Sequence, residues 1–415
     1  MQPPQGLHDI PQLWLDVTRL LTRIGRGALT GIDRVEVAYL EAALGVSAKF
    51  ICRTTRGYLV FGDDGATALL EMACEAHRPL GRADWFSRLT LRGHKPRHKV
   101  EAALRKYAIA RCGPRGLPRL LESHGLDGIT YVNVGHSNLS EMTLSAFAAL
   151  SNSDVVVMIH DLIPLLHPDY VADGLPEKFA GRIARVRRYG DLVISNSAAT
   201  DADLATHWIG QDAPARIVAH LGVTPQPLSD LDREDGYFVM LGTMEARKNH
   251  ALMVDAWDVM AAQLPLAEVP KLHIIGNSGW KVDRLMARLQ AHPLLGDRIF
   301  LHGPLPDEAV QDHLARACAL LFPSIAEGFG YPPLEAAMAG AVPICSNLAV
   351  YKETLGDCAV YVDSGDAYSW AETIKQHIRG TAVTPDLTKL TVPTWPEHFE
   401  TVQSAIALQR RKGRP

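Results

Sequence analysis

No two cysteines in this 415-residue sequence stand at C-x-x-C spacing, and no H-E-x-x-H motif is present. The six cysteines (Cys52, Cys74, Cys112, Cys318, Cys345 and Cys358) are scattered. That distribution argues against a disulfide framework and fits reduced thiols in a cytosolic protein. No apolar run approaches the ~20 residues that cross a bilayer. Residues 1–12 are polar and carry three prolines, without the basic-then-apolar profile of a secretion signal. Net charge is also scarce, at a formal -4, which gives no reason to expect a nucleic-acid partner. There is no internal repeat and no low-complexity segment.

What is present is an ordinary globular composition, 47% hydrophobic and 21% charged. A chain of this length exceeds one ordinary core, so two domains are expected. Short apolar runs alternate with helical-period stretches through both halves, the pattern of parallel α/β sheets. The spacing predicts strands at 13–17, 49–53, 130–134, 154–160, 192–196 and 216–220. A second set is predicted at 237–241, 271–275, 298–302, 318–323, 342–346 and 359–363. The Pro-, Asp- and Gly-rich stretch before Gly236 reads as a linker. The expected division is an N-terminal domain over 1–225, a linker over 226–236, a C-terminal domain over 237–390 and a terminal helix over 391–415. Phe399, Val402 and Ile406 share one face of that helix, which must dock somewhere, plausibly back across a cleft onto the N-terminal domain.

One stretch is biased in charge. Between Arg78 and Arg119 there are twelve Lys or Arg against two acidic residues, Asp84 and Glu101. A second basic helix face follows at Arg182, Arg185, Arg187 and Arg188. Both could be solvated surface, or a patch resting on anionic lipid headgroups at the inner face of a membrane.

The strongest chemical signal is the run from Glu327 to Glu335, Glu-Gly-Phe-Gly-Tyr-Pro-Pro-Leu-Glu, which follows an apolar strand. Pro332 and Pro333 suit the first helical positions and Gly340 suits a helix end. Glu327 is therefore expected in the strand-to-helix loop and Glu335 in the first turn. Gly328 and Gly330 let backbone approach a ligand closely, and a helix N-terminus favours phosphate. Carboxylates accept sugar hydroxyls, so a loop combining both features suits a phosphorylated sugar. Upstream, Arg247 and Lys248 open a helix, an electrostatically poor place for cations, which favours a functional reading. Asp201 and Asp203 have D-x-D spacing but fall inside a predicted helix, where their carboxylates point apart.

The run from Ser324 through Glu327 and Glu335 to Pro343 resembles the E-x7-E signature of family 4 glycosyltransferases with the GT-B fold. Leu241 to Asn249, with its Arg247-Lys248-Asn249, resembles the loop after the first C-terminal strand in bacterial polysaccharide mannosyltransferases. Ile159 to Pro164 and Ile194 to Thr200 are similar to acceptor-domain motifs of that subgroup. The resemblance implies an α/β, GT-B architecture of two Rossmann-like domains facing each other across a cleft. It implies a retaining hexosyltransferase acting on a nucleotide-sugar, with GDP-mannose the leading donor and a glycan or lipid-linked oligosaccharide as acceptor. No metal and no other cofactor would be required, since Arg247 and Lys248 would offset the leaving diphosphate. Glu335 corresponds to the residue that takes the ribose hydroxyls and Glu327 to the one that meets the transferred sugar. Gly242, Gly328, Phe329, Gly330 and, from the opposite wall, Gly31 would approach the donor. His160 would sit near the sugar, with Asp161, His136 and Asn196 on the acceptor side. Asp161 could instead cap a turn, and Asn196 with Ser197 a helix. A GT-B epimerase or phosphorylase is the nearest enzymatic competitor. A catalytically silent nucleotide-sugar sensor or scaffold on the same fold is the alternative from another class. One departure is that the usual Gly-Arg after the first C-terminal strand is Gly242-Thr243.

Overall fold

The protein is described by a computed structural model covering residues 6–27, 29–74, 95–123, 128–225, 231–363 and 365–412. Two sheets divide the chain. The first contains β1 (Leu13–Asp16), β2 (Lys49–Thr54), β3 (Gly57–Phe61), β4 (Ala108–Cys112), β5 (Thr130–Asn133), β6 (Asp154–Ile159), β7 (Leu192–Ser195) and β8 (Ala215–Val218). Their order is β4-β3-β2-β1-β5-β6-β7-β8. The second contains β9 (Tyr237–Leu241), β10 (Lys271–Ile275), β11 (Ile299–His302), β12 (Ala319–Phe322), β13 (Val342–Ser346) and β14 (Val360–Val362). Its order is β11-β10-β9-β12-β13-β14. Strands such as β6 and β13 are buried along their whole length, as parallel strands covered on both faces must be.

Every predicted strand is present, but the first sheet is not wholly parallel. β2, β3 and β4 form an antiparallel edge that the sequence reading did not contain. β2 and β3 meet at a two-residue turn, Thr55-Arg56, closed by the Thr54–Gly57 pair, and Gly57 has φ +142°. A Cβ there would lie 1.9 Å from the carbonyl oxygen of Cys112, so only glycine fits. β4 alternates half-buried and exposed residues and includes Arg111, so it lacks the apolar run that marks a central strand. It lies within the charge-biased stretch between Arg78 and Arg119. Residues 75–94, with much of the basic run, and 226–230 of the expected linker lie outside the described residues.

Strand order determines where a ligand can enter. In open parallel sheets, binding crevices form at the carboxyl ends of strands where the winding direction reverses. Here the reversals fall between β1 and β5 and between β9 and β12. The loops after β5, β9 and β12 carry His136, Arg247, Lys248 and Glu327, and Gly31 opens the second helix after β1. The terminal helix Trp395–Lys412 lies against β7 and β8, and its Phe399, Val402 and Ile406 join the core of the first sheet. Its His398 bonds the Tyr39 hydroxyl at 2.7 Å and the His220 carbonyl at 2.9 Å. Arg410 reaches Asp154 at 2.8 Å. Among the described residues no helix is long and apolar enough to cross a membrane.

Candidate active site

The loop after β9 turns through the 3-10 segment Ala246–Lys248 and hands over to the helix His250–Gln263 at Asn249, whose φ is +55°. This turn drives Arg247 and Lys248 inward. Arg247 Nη1 lies 2.8 Å and Lys248 Nζ 2.5 Å from the same oxygen, Oε1 of Glu327. Arg247 is held further by Glu245 at 3.0 Å and by the carbonyl of Ala326 at 3.1 Å. Its own carbonyl accepts from the amide of Ile325 at 2.8 Å, which ties the β9 loop to the β12 loop. Lys248 Nζ also sits 4.2 Å over the ring of Phe322. A Cβ on Gly242 would come within 3.8 Å of Lys248 Cε, which places that glycine beside the cation pair.

The electrostatics follow from this packing. Burial would raise the Glu327 carboxyl, yet Arg247 and Lys248 hold it down at about 2. Burial lowers Lys248, and Glu327 opposes that effect. Arg247 is pushed up, since Glu327 and Glu245 outweigh its desolvation. Glu327 is thus the ionised counter-ion of two buried cations, an arrangement stable only while all three are present.

The second carboxylate is elsewhere. Gly330 takes φ +86° and opens the helix Tyr331–Met338, with Pro332 and Pro333 following. Glu335 therefore sits one turn inside the helix, not in the first turn as expected. Its Oε1 pairs with Arg34 Nη1 at 2.5 Å, and Arg34 also reaches Asp307 at 3.5 Å. Arg34 belongs to the helix Gly31–Ala43 of the first sheet's domain, capped by a reciprocal Thr30–Asp33 box. A Cβ on Gly31 would lie 3.4 Å from the Tyr331 ring, so this glycine faces the E-x7-E helix across the cleft. The sequence reading gave Gly31 a role and Arg34 none. It stands three residues on, hence on the same helix face, and that spacing could have identified it.

The N-terminal motifs meet the same loop from the opposite side. Ser197 caps the helix Ala198–His207 by accepting from Thr200 N, and its hydroxyl donates to the carbonyl of Gly328 at 2.8 Å. A Cβ on Gly328 would stand 2.1 Å from the carbonyl oxygen of His160, so this glycine is required by the contact between domains. Glu353 accepts from the amides of Ala198 and Ala199 at 2.6 and 3.1 Å and from His220 at 2.6 Å. His160 and His136 pair edge-to-face, with ring centroids 4.9 Å apart. The His160 amide donates to His136 Nε2 at 3.2 Å, and His160 Nε2 bonds the carbonyl of Val134 at 2.6 Å. Burial holds His160 down at about 4 and pushes His136 well below its ordinary value, so both are neutral near pH 7. Asp161 caps a turn through the amide of Ile163 at 3.0 Å. Burial raises its carboxyl despite the nearby charge of Arg247. Asn196 is buried, with Oδ1 3.5 Å from the Ser197 hydroxyl. Phe329 is buried beside Tyr331.

The structure thus brings Arg247, Lys248, Glu327 and Gly242 together in one cluster and Gly31, Arg34, Tyr331 and Glu335 in another. Gly328 joins His160, Asp161 and Ser197 to the first cluster. Asp201 is paired with Arg216 at 2.9 Å, away from any partnership with Asp203. The expected basic helix face is partly used within the protein: Arg185 donates to the carbonyl of Leu139 at 2.8 Å and Arg187 to that of Asp212 at 3.5 Å. Sequence reasoning also missed Glu36, whose buried carboxyl group accepts from the Leu20 amide at 2.8 Å and lies against Gly135.

Residues 228–387, which hold both clusters' C-terminal members, match the family described as "Glycosyl transferases group 1". Over that stretch the chain is similar to group 1 glycosyltransferases. The sequence is also similar to bacterial O-antigen mannosyltransferases. It is 30% identical over 233 residues to the Escherichia coli serotype-specific mannosyltransferase WbdA, an alignment covering 51% of this chain and 28% of that protein. It is 32% identical over 143 residues to the Escherichia coli O-antigen chain mannosyltransferase B, covering 34% of this chain and 36% of the relative. It is 24% identical over 245 residues to the O-antigen chain mannosyltransferase RfbU of Salmonella typhimurium, covering 59% and 66%. The chain therefore spans only about a quarter to two thirds of the lengths of these relatives. Among solved structures, it superposes on sucrose-phosphate synthase from Thermosynechococcus elongatus with TM-score 0.59 and on Anabaena Alr3699/HepE, determined with UDP and glucose, with TM-score 0.56. Each match is 16% identical and covers 97% of both chains. At that identity the likeness speaks for the fold, and that fold is GT-B.

Proposed function

We propose that the chain transfers a hexose, with mannose from GDP-mannose the first candidate, to a glycan acceptor in bacterial surface polysaccharide assembly. The observation that carries this reading is the convergence of Arg247 and Lys248 on Glu327 at the β9/β12 reversal, with Glu335 on the adjoining helix. The names of the mannosyltransferase relatives support mannose as the sugar, and the two that name an O-antigen chain support a glycan as the acceptor. A nucleoside diphosphate carries two phosphates that compete with Glu327 for the same two cations. Once Arg247 and Lys248 engage the diphosphate, the Glu327 carboxylate is released to accept hydroxyls of the sugar beside it. The exchange keeps charge balanced and delivers both cations to the leaving group, where negative charge grows in the transition state. Glu335 would take the ribose hydroxyls in place of its ion pair with Arg34.

Transfer would proceed with retention, by attack of an acceptor hydroxyl on the face from which the diphosphate departs. A phosphate oxygen of the leaving group takes the acceptor's proton, so no side-chain nucleophile is needed. The cation pair would supply the leaving-group stabilisation that Mg²⁺ gives other transferases. Neutral His160 and His136 would line the sugar and acceptor side. The test is calorimetric titration, in EDTA, with GDP-mannose, GDP-fucose, UDP-glucose, UDP-N-acetylglucosamine and dTDP-rhamnose, followed by NMR of the anomeric proton in the product. One donor bound with retained configuration is expected. Binding without any turnover would move the silent sensor or scaffold ahead of the transferase.

A further inference from the structure

Far from the cation cluster in sequence, three histidines meet on one face of the second sheet. His273 lies within β10, His302 ends β11, and His313 is on the covering helix Asp307–Arg316. One ring nitrogen from each falls within 4.8 Å of the other two. His273 Nδ1 and His302 Nε2 are 2.9 Å apart. The Tyr237 hydroxyl holds His313 Nδ1 at 2.5 Å.

An aromatic layer accounts for part of this arrangement. Tyr237 and Phe300 stack near-parallel on His273, with centroids at 4.0 and 4.7 Å, while His302 is near-parallel at 5.1 Å and hydrogen-bonded to it edge to edge. Stacking would be served as well by phenylalanine, and it does not require nitrogens to converge. His313 meets His302 edge-on at 4.7 Å, outside the stack. The middle of a buried parallel strand is also a costly place for an imidazole. His273 is buried, and its Nε2 is buried without a hydrogen-bond partner among the described residues.

We propose that His273, His302 and His313 form a binding site for a divalent transition metal, zinc first, that pins the helix Asp307–Arg316 to β10 and β11. Three imidazoles with a fourth position left to solvent are a recurrent zinc set, and imidazole suits zinc, copper and nickel over magnesium or calcium. Zinc bound at about 2.0–2.1 Å from each nitrogen asks for separations of roughly 3.3 Å, so the rings would turn to close the set, with the metal replacing the His273–His302 hydrogen bond. Tyr237 plays the part of the outer partner that fixes a ligand histidine's tautomer and ring orientation. The nearest cation on that helix, Arg316, is itself neutralised by Glu234 at 2.8 Å, which lessens its repulsion of a metal. The pinned helix begins at Asp307, the second partner of Arg34 across the cleft, so the metal would steady that contact. This site is separate from the proposed transfer chemistry and uses none of its residues.

The experiment uses the full chain, stripped with EDTA and exchanged into chelator-free buffer, titrated with zinc against a chromophoric chelator. One zinc per chain is expected, with a rise of a few degrees in melting temperature. His302→Gln and His313→Gln, both at partly exposed positions, should each weaken zinc by on the order of 100-fold. X-ray absorption of the zinc form should show nitrogen or oxygen neighbours near 2.0 Å with imidazole outer-shell scattering and no sulfur near 2.3 Å. Less than a tenth of a zinc per chain, binding unchanged in both variants, or a sulfur shell from the cysteines would each overturn the proposal.

Discussion

Lys248 and Glu327 show how a single ion contact can be both structural and poised for exchange. Lys248 is buried, and without Glu327 its charge would be poorly compensated. Removing the amine deletes one of two groups proposed to meet the growing charge on the diphosphate. In Lys248→Ala, turnover is expected to fall about 100- to 1,000-fold, the usual effect of losing one preorganised stabiliser. Donor affinity should change far less. Steady-state kinetics separate the two, and an effect confined to KM would contradict a role in the transition state. Arg247 and Lys248 were legible from sequence because cations are unfavourable at a helix start. Their joint hold on one glutamate oxygen was not legible, since Glu327 lies on a different strand's loop and the contact exists only after β9 and β12 pair. The helix face of Arg34 was legible from its spacing to Gly31, but its pairing with Glu335, 301 residues away, was not.

At the scale of elements, the loop after β12 is shaped by the strand end it meets. Gly328→Ala puts a methyl group 2.1 Å from the His160 carbonyl, which must move. A stability loss of about 1–3 kcal/mol is expected, measured by urea denaturation. Gly31→Ala makes a useful contrast, because its added carbon would meet only the Tyr331 ring at 3.4 Å. That variant should fold as wild type yet bind donor more weakly if backbone at Gly31 approaches phosphate. Equal stability loss in both variants would contradict this distinction. The twelve predicted strands were readable because each is a short apolar run bounded by turn residues. β3 and β4 escaped because β3 follows β2 after only two residues and β4 is a half-exposed edge. The His273–His302–His313 set escaped because its members come from two strands and a helix, with no spacing that sequence could reveal.

At the scale of the whole molecule, several buried histidines are kept neutral by the fold. Burial holds His160 and His398 at about 4, and burial with Lys248 nearby holds His250 at about 3. Each is depressed below the ~6.5 of an unfolded histidine, so between those values the unfolded chain binds more protons. Stability from these groups is complete above pH 6.5 and falls as pH drops toward 4. The cost is about 1.4 kcal/mol per histidine for each pH unit in that window. Glu327 contributes nothing there, because its stabilisation is present above about 4.5 and is lost only toward about 2. Melting temperature should be flat from pH 7.5 to 6.5 and decline steeply by pH 5. A flat profile down to pH 5 would contradict the neutral, buried assignment.

The contacts across the cleft, from Arg34–Glu335 to Ser197–Gly328 and Glu353 on the helix at Ala198, make the two sheets one working unit. The central claim is that this cleft takes a nucleotide-sugar and cleaves it with protein cations alone. The most direct measurement is release of nucleoside diphosphate from GDP-mannose in EDTA, for wild type and Glu335→Ala side by side. The account predicts slow release by wild type and a loss of about 10- to 100-fold at subsaturating donor in the variant, from one charge-assisted hydrogen bond to ribose. Release that requires added metal, or that survives unchanged in Glu335→Ala, would contradict it.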